Sequence, residues 1–317
     1  MGTIVMRIVG VLMLLTALAL ALSRAPDRPA ETLVARWAPA PSDFVDVKGQ
    51  VVHLRDEGPR DDPNPVLLIH GTGASLHTWE GWVKVLKARR RVITFDLPGF
   101  GLTGPFAGQY TPDDYHGDTY ARFVFDLMDR LKLQSAVVGG NSLGGEVAWR
   151  MAVMTPQRVS GLILVDAVGP AFTPQSMPIG FMIARVPVIG RISEFALPRA
   201  VIEESLQDVY GNPAKVTPDL VDRYFELALR SGNRRALGLR MKQMVPGEDA
   251  DRIATIRQPT LILWGGRDKL IPPVAARQFQ QLITVSKLVM FNDLGHVPQE
   301  EDPARTVEPV KTFLGLQ

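Results

Sequence analysis

Ala136-Val137-Val138-Gly139-Gly140-Asn141-Ser142-Leu143-Gly144-Gly145-Glu146 joins a short apolar run to a glycine-flanked serine, and then to a segment, Glu146 to Met154, with helical spacing. Gly140 to Gly144 fits Gly-x-Ser-x-Gly. A nucleophile displayed on a tight turn between strand and helix needs neighbours without Cβ on both sides. The following helix then aims its free N–H groups and its positive end at the same point. The setting predicts an α/β fold with Ser142 presented at the edge of a sheet.

A serine hydroxyl is a poor nucleophile until a base takes its proton. The chain has five histidines. His53 falls inside a predicted strand, His70 ends another, and His77 and His116 lie in early loops or helix starts. His296, in Asp293-Leu294-Gly295-His296-Val297-Pro298, follows the last apolar run, where a loop residue can reach a nucleophile at the same sheet edge. The base in turn needs a carboxylate to hold its tautomer. Asp268, in Gly265-Gly266-Arg267-Asp268-Lys269, follows the run Leu261 to Trp264 at the matching end. An oxyanion needs N–H donors. The spacing offers Leu143, next to the nucleophile, and Thr72 in the glycine-rich loop His70-Gly71-Thr72-Gly73, with Gly73 its near alternative. His70 is read as a residue that ties this loop in place.

Outward from this centre, Phe44 to Val47 and Gln50 to Leu54 alternate across Lys48-Gly49 as an antiparallel hairpin would. Val66 to Ile69, Val92 to Phe95, Leu162 to Val165 and Lys287 to Phe291 complete the strand candidates, most of them continuous apolar runs as in strands buried on both faces. Stretches with helical spacing separate them, so a parallel sheet with right-handed crossovers is expected. The alternation breaks between about Gly169 and Gln258, whose middle, roughly 170–245, reads as a helical lid inserted over one end of the sheet. Met177, Phe181, Met182, Ile183 and Val186 make part of it apolar.

The globular domain is expected over 43–317, preceded by a proline-bearing linker over 23–42. Residues 1–22 read as a signal peptide or a membrane anchor: Arg7 is the only charge from Ile4 to Leu22. Under the positive-inside rule Arg7 keeps the N-terminus cytoplasmic, which puts the catalytic domain on the non-cytoplasmic side, the periplasm in a bacterium.

Composition narrows the chemistry. The 317 residues include no cysteine, which excludes disulfides, thiol nucleophiles and thiolate metal sites. The formal charge of +2 leaves no broad electrostatic footprint for nucleic acid. The densest basic cluster, Lys87 and Arg89 to Arg91, reads as a solvated helix end. No metal cluster, dinucleotide fingerprint or phosphate loop is apparent.

His70-Gly71, Asp96-Leu97-Pro98-Gly99-Phe100-Gly101, Gly140-Asn141-Ser142-Leu143-Gly144-Gly145, Trp264-Gly265-Gly266-Arg267-Asp268 and Gly295-His296 together resemble the α/β-hydrolase superfamily, over about residues 43 to 315. Ser142, Asp268, His296 is also the chain order of that superfamily's catalytic groups. The resemblance implies a mostly parallel eight-stranded sheet with strand 2 antiparallel, helices on both faces, a lid after strand 6 and no cofactor. Serine at 142 argues against the branches that use aspartate there. Gly-Asn-Ser-Leu-Gly-Gly further resembles the carbon–carbon bond hydrolases of meta-cleavage products. Those enzymes carry an aromatic residue after the histidine, where this chain has Val297, and a lid arginine to be sought among Arg230, Arg234, Arg235 and Arg240. The expected activity is hydrolysis of an ester or related acyl bond of a small hydrophobic substrate. The alternatives are carbon–carbon hydrolysis or acyl transfer, and non-catalytic binding on the same fold.

Overall fold

The computed structural model describes residues 2–186 and 193–316. Eight strands form one sheet in the order β1-β2-β4-β3-β5-β6-β7-β8. They are β1 (Ser42–Val47), β2 (Gln50–Glu57), β3 (Val66–Ile69), β4 (Val92–Phe95), β5 (Ala136–Asn141), β6 (Val159–Val165), β7 (Thr260–Gly265) and β8 (Ser286–Phe291). Strand β2 is antiparallel to both its neighbours, and the pairs from β4 to β8 are parallel. Each apolar run expected to be a strand lies in one.

The continuous apolar runs follow from cover on both faces. On one face Trp79, Trp82, Leu86, Val307 and Val310 pack on Val66, Leu68, Ile163 and Leu261. On the other, Tyr120, Phe123, Val147, Trp149 and Phe279 pack on Leu67, Ile69, Val138 and Leu164. With no wet face, alternation has no role, and β3, β4, β5 and β7 are buried at every position.

Register sets the site. Asn141 pairs with Val165 and Val165 with Leu263, so β5, β6 and β7 end nearly level. The residues that follow them open onto one edge.

Between β6 and β7 the chain forms the helices Ile179–Arg185, Arg199–Val209, Pro218–Ala228 and Asn233–Gln243. This is the helical insertion expected over 170–245. A buried ion network fixes its last helix to the helix Leu143–Met154 behind Ser142: Arg240 pairs with Glu146 and donates to the Tyr115 carbonyl, while Arg150 holds Glu146 at 3.0 Å and Asp118 at 2.9 Å.

Residues 23–42 depart from the expected linker. Ala25 N–H donates to the Phe195 carbonyl at 2.9 Å and Arg28 N–H to that of Leu229 at 2.7 Å. Glu31–Trp37 is a helix whose Leu33 packs with Leu102 and Leu227. The prolines space this arm, but Leu33, Val34 and Trp37 form an apolar stripe at helical spacing, and burying that stripe docks it on the insertion. Asp27 seals the contact with Arg234 at 2.6 Å.

Ahead of the arm, Gly2–Leu22 is a single helix of 21 residues. The side chains at 3, 12, 15–17, 19, 20 and 22 lie outside the described set, and no helix among the described residues is long and apolar enough to cross a membrane. The basic cluster of 87–91 is not merely solvated: Lys87 pairs with Glu57, Arg90 with Asp62 and Arg91 with Asp56.

Candidate active site

Ser142 sits between β5 and its helix at φ 55 and ψ −115, a conformation that costs a side-chain-bearing residue about 1–3 kcal/mol. The turn closes so tightly that a Cβ on Gly140 would lie 2.1 Å from the Gly144 carbonyl carbon, and one on Gly144 would lie 2.1 Å from the Ile69 oxygen. Glycine is therefore required at both flanks of the motif. Ser142 N–H is satisfied by the Val165 carbonyl at 3.0 Å, and the residue lines the cavity.

His296 Nδ1 lies 2.7 Å from Asp268 Oδ2, and both residues are buried. The other Asp268 oxygen accepts N–H bonds from Leu270 at 2.8 Å and Ile271 at 2.9 Å. The histidine loop is pinned by its own backbone: His296 N–H donates to the Val209 carbonyl at 2.7 Å, and Asn141 Nδ2 donates to the His296 carbonyl at 2.9 Å. Asn141, the variable letter of the motif, thus joins the nucleophile strand to the base loop. Ser142, His296 and Thr72 line one cavity.

Leu143 opens its helix, so its N–H has no carbonyl one turn back. Gly71 packs so closely that a Cβ there would meet that of Ser142 at 3.1 Å, which brings the following residue, Thr72, to the cavity wall. His70 acts as a tie. Its Nε2 accepts Leu97 N–H at 2.9 Å and its Nδ1 donates to the Gly71 carbonyl at 2.8 Å, the pattern of a neutral ring. Burial depresses its pKa accordingly. Asp96 backs the same loop by accepting Leu76 N–H at 2.7 Å and His53 Nδ1 at 2.7 Å. Although burial acts against ionisation, the neighbouring His53, which also hydrogen-bonds it, holds this carboxylate well below its ordinary range.

Asp166 was not among the residues expected from the sequence. It follows β6 as Asp268 follows β7, and its Oδ1 accepts Gly265 N–H at 2.9 Å. Burial first, and then the Asp268 carboxylate beside it, push its pKa well above the usual range. That direction favours the protonated acid, and Asp166 Oδ2 is buried with no hydrogen-bond partner. Ligand atoms of Asp166, Asp268 and His296 lie within 4.8 Å of one another, the one such metal-sized group among the described residues. Its groups already serve one another and the backbone: His296 Nδ1 donates to Asp268 Oδ2, and Asp268 Oδ1 accepts two backbone N–H groups. The chemistry of the set fits a shared proton better than a cation.

Two cavities flank Ser142, with volumes of about 110 and 130 Å³. Of the apolar residues expected in the lid, Phe181 lines both and Met177 one, whereas Met182 and Val186 point outward at 48% and 43% exposure. None of the four candidate arginines lines either cavity. Arg230 donates to the Ser231 and Thr103 carbonyls, Arg234 pairs with Asp27, Arg235 with Asp113 and Arg240 with Glu146.

A level sheet edge carrying a strained serine, a carboxylate-bound histidine and a glycine-lined donor loop defines a hydrolase of the α/β type. The family model described as alpha/beta hydrolase fold matches residues 64–303, and the chain belongs to that family. It is 30% identical over 260 residues to the 2-hydroxy-6-oxo-2,4-heptadienoate hydrolase of Pseudomonas putida, covering 80% of this chain and 90% of that one. It is 28% identical to Lipase 3 of Moraxella sp., covering 78% and 76% of the two chains. A solved bacterial membrane phospholipase A shares the fold with a TM-score of 0.70 at 24% identity, across 99% of this chain and 96% of its own.

Proposed function

We propose that this hydrolase cleaves a carboxylic ester of a small, hydrophobic substrate through an acyl-enzyme on Ser142. The reading is carried by His296, which is held on Asp268 at 2.7 Å while sharing an apolar cavity with Ser142. His296 Nε2 takes the hydroxyl proton as Ser142 Oγ bonds to the ester carbon, and the Leu143 and Thr72 amides receive the oxyanion. As the C–O bond breaks, Nε2 returns that proton to the leaving alkoxide. Water then gives a proton to Nε2 and its hydroxide to the acyl carbon, and as the bond from that carbon to Ser142 Oγ breaks Nε2 returns the proton to Oγ, which releases the acid and restores the serine. No cofactor is needed for any of these steps.

The runner-up is carbon–carbon hydrolysis, favoured by the likeness to the heptadienoate hydrolase. That substrate is an anion; Arg230, Arg234, Arg235 and Arg240 are committed elsewhere and Arg185, which lines the second cavity, is exposed, while the cavity shared by Ser142 and His296 has an otherwise uncharged, mostly apolar lining that favours the ester reading. The test is turnover by the purified full-length chain of p-nitrophenyl butyrate and of a 2-hydroxy-6-oxo-dienoate, each with wild type and Ser142→Ala. Ester turnover lost in Ser142→Ala supports the proposal. Turnover of the dienoate alone replaces it with the carbon–carbon reading. No turnover by folded protein of either substrate moves the non-catalytic binding reading to the front.

The same chain is proposed to be membrane-anchored or exported through residues 1–22, a signal peptide or an anchor, with the hydrolase on the non-cytoplasmic side. In support, the helix Gly2–Leu22 carries Arg7 as its one charge and leaves Ile4, Met6 and Leu14 exposed. Release of the full-length protein from membranes by alkaline carbonate would refute the anchor.

A further inference from the structure

We infer that Phe181 divides the site into a leaving-group arm on the His296 side and a separate acyl arm, so that the substrate is a neutral ester, apolar on both sides of the scissile bond. The inference rests on the ester reading above. Ser142, Thr72, Phe181 and Leu270 line both cavities and mark where they meet. Only the cavity of about 110 Å³ contains His296, together with Ile202, Leu206 and Val297. The cavity of about 130 Å³ is lined instead by Val168, Phe172, Met177, Met241 and Met244.

Reaction chemistry assigns the two arms. The histidine that accepts the serine proton must hand it to the departing alkoxide, so the alcohol portion has to project toward His296. The carbonyl oxygen is fixed at the donors beside Thr72 and Leu143. The acyl substituent takes the remaining direction, which is the methionine-lined cavity. Phe181 is placed to separate them, since its Cε1 lies 3.6 Å from where a Cβ of Gly73 would be, against the donor loop. Its helix is tied to the wall of the other arm by Gly180 N–H donating to Ser205 Oγ at 3.1 Å.

The linings set the substrate class. Unbranched thioethers adapt to chains of different shape, and the acyl arm carries one charged residue among those described, Arg185, which is exposed. The leaving-group arm has no charged lining residue besides the catalytic histidine, so a carboxylate or phosphate there would be buried without a partner.

The test uses the full-length protein and two substrate series: p-nitrophenyl esters of lengthening acids, and acetates of lengthening n-alkanols. Wild type is compared with Met244→Trp, which fills the acyl arm, and Ile202→Trp, which fills the leaving-group arm. For Met244→Trp the hexanoyl-to-acetyl ratio of kcat/KM falls at least tenfold below wild type, while the hexyl-to-ethyl ratio holds within twofold. Ile202→Trp gives the opposite pattern, and Phe181→Ala flattens both ratios. Ratios taken on one preparation are insensitive to loss of folded enzyme, and Met177→Trp repeats the acyl-arm arm of the test from another element. A crossed pattern, or both series changing alike in Met244→Trp and Met177→Trp, overturns the assignment while leaving the ester reading intact. Absence of ester turnover by wild type in both series overturns the ester reading and the assignment together.

Discussion

Replacing Asp166 separates two accounts of the acid behind His296. If Asp166 is neutral and shares its proton with Asp268, Asp166→Asn is nearly isosteric in function: the amide oxygen still accepts Gly265 N–H, and the amide NH2 still donates to Asp268. Asp166→Ala removes both bonds. It orphans a buried N–H, which costs about 1–3 kcal/mol, and takes a donor from a buried carboxylate, about 1.5–3 kcal/mol more. The expected loss in urea unfolding is therefore roughly 3–5 kcal/mol for Ala and less than about 1 kcal/mol for Asn at pH 5. The pH dependence has a definite sign. A carboxyl whose folded pKa is raised stabilises fully below its unfolded value and loses that contribution as pH rises toward the folded one. Wild type carries this penalty above about pH 4 and Asn does not, so Asn gains on wild type between pH 4 and 7. In ester kinetics Ala loses about tenfold or more in kcat/KM, since about 1.4 kcal/mol of misplacement of the Asp268–His296 pair suffices, whereas Asn stays within severalfold. An Asn variant as damaged as Ala, in stability and in its pH–rate profile, would mean that Asp166 works ionised and that the shared-proton account is wrong.

Three further outcomes follow from other parts of the fold. Arg240→Met breaks the buried pair with Glu146; because Arg150 still holds Glu146 at 3.0 Å, the loss in urea unfolding is about 2–4 kcal/mol, and an unchanged midpoint would refute the role of this pair in fastening the insertion. Leu33→Ala removes a side chain that is 1% exposed and costs about 2–3 kcal/mol of arm docking, read as faster tryptic cleavage at Arg24 and Arg36 with the core intact; equal cleavage rates would show that the arm is held by its polar contacts alone. Burial pushes His77 down to about 4, so its neutral form contributes stability above pH 6.5 that is lost as pH falls toward 4, and His77→Gln flattens that acid limb by up to about 1.4 kcal/mol per pH unit; a limb unchanged in the variant would assign it to His70 or the carboxylates.

What the sequence made legible was whatever local geometry imposes on neighbouring residues. Double-sided burial wrote β3, β4, β5 and β7 as unbroken apolar runs, and the 2.1 Å clearances at Gly140 and Gly144 admit no side chain, so the turn around Ser142 stands out in five letters. His296 and Asp268 could be reached because parallel strands deliver their following loops to one edge, which turns chain order into proximity. The same rule applied one strand earlier would have reached Asp166, which follows the run Leu162 to Val165 just as Asp268 follows Leu261 to Trp264. It was passed over because one carboxylate already satisfied the histidine, and nothing local distinguishes an acid that keeps its proton from one that gives it up. That distinction is made by Asp268 itself, 102 positions away in the chain and adjacent only in the folded sheet. The arm of 23–42 failed for a related reason: its prolines speak for extended chain, whereas Leu33 gains its cavity from Leu102 and Leu227, so burial and not propensity decides its structure. Phe181 combines both difficulties. As one of five apolar residues in a short stretch it is indistinguishable from Met182 or Val186 by composition, and only the insertion's seating on the sheet edge, fixed in part by the buried Arg240–Glu146 pair, brings Phe181 to the cavity of Ser142 and leaves Met182 and Val186 toward solvent. On the proposed division of the site, specificity is a property of how the insertion docks, which explains why the candidate catalytic groups can be read from the chain while the shape of the proposed substrate has to be read from the fold.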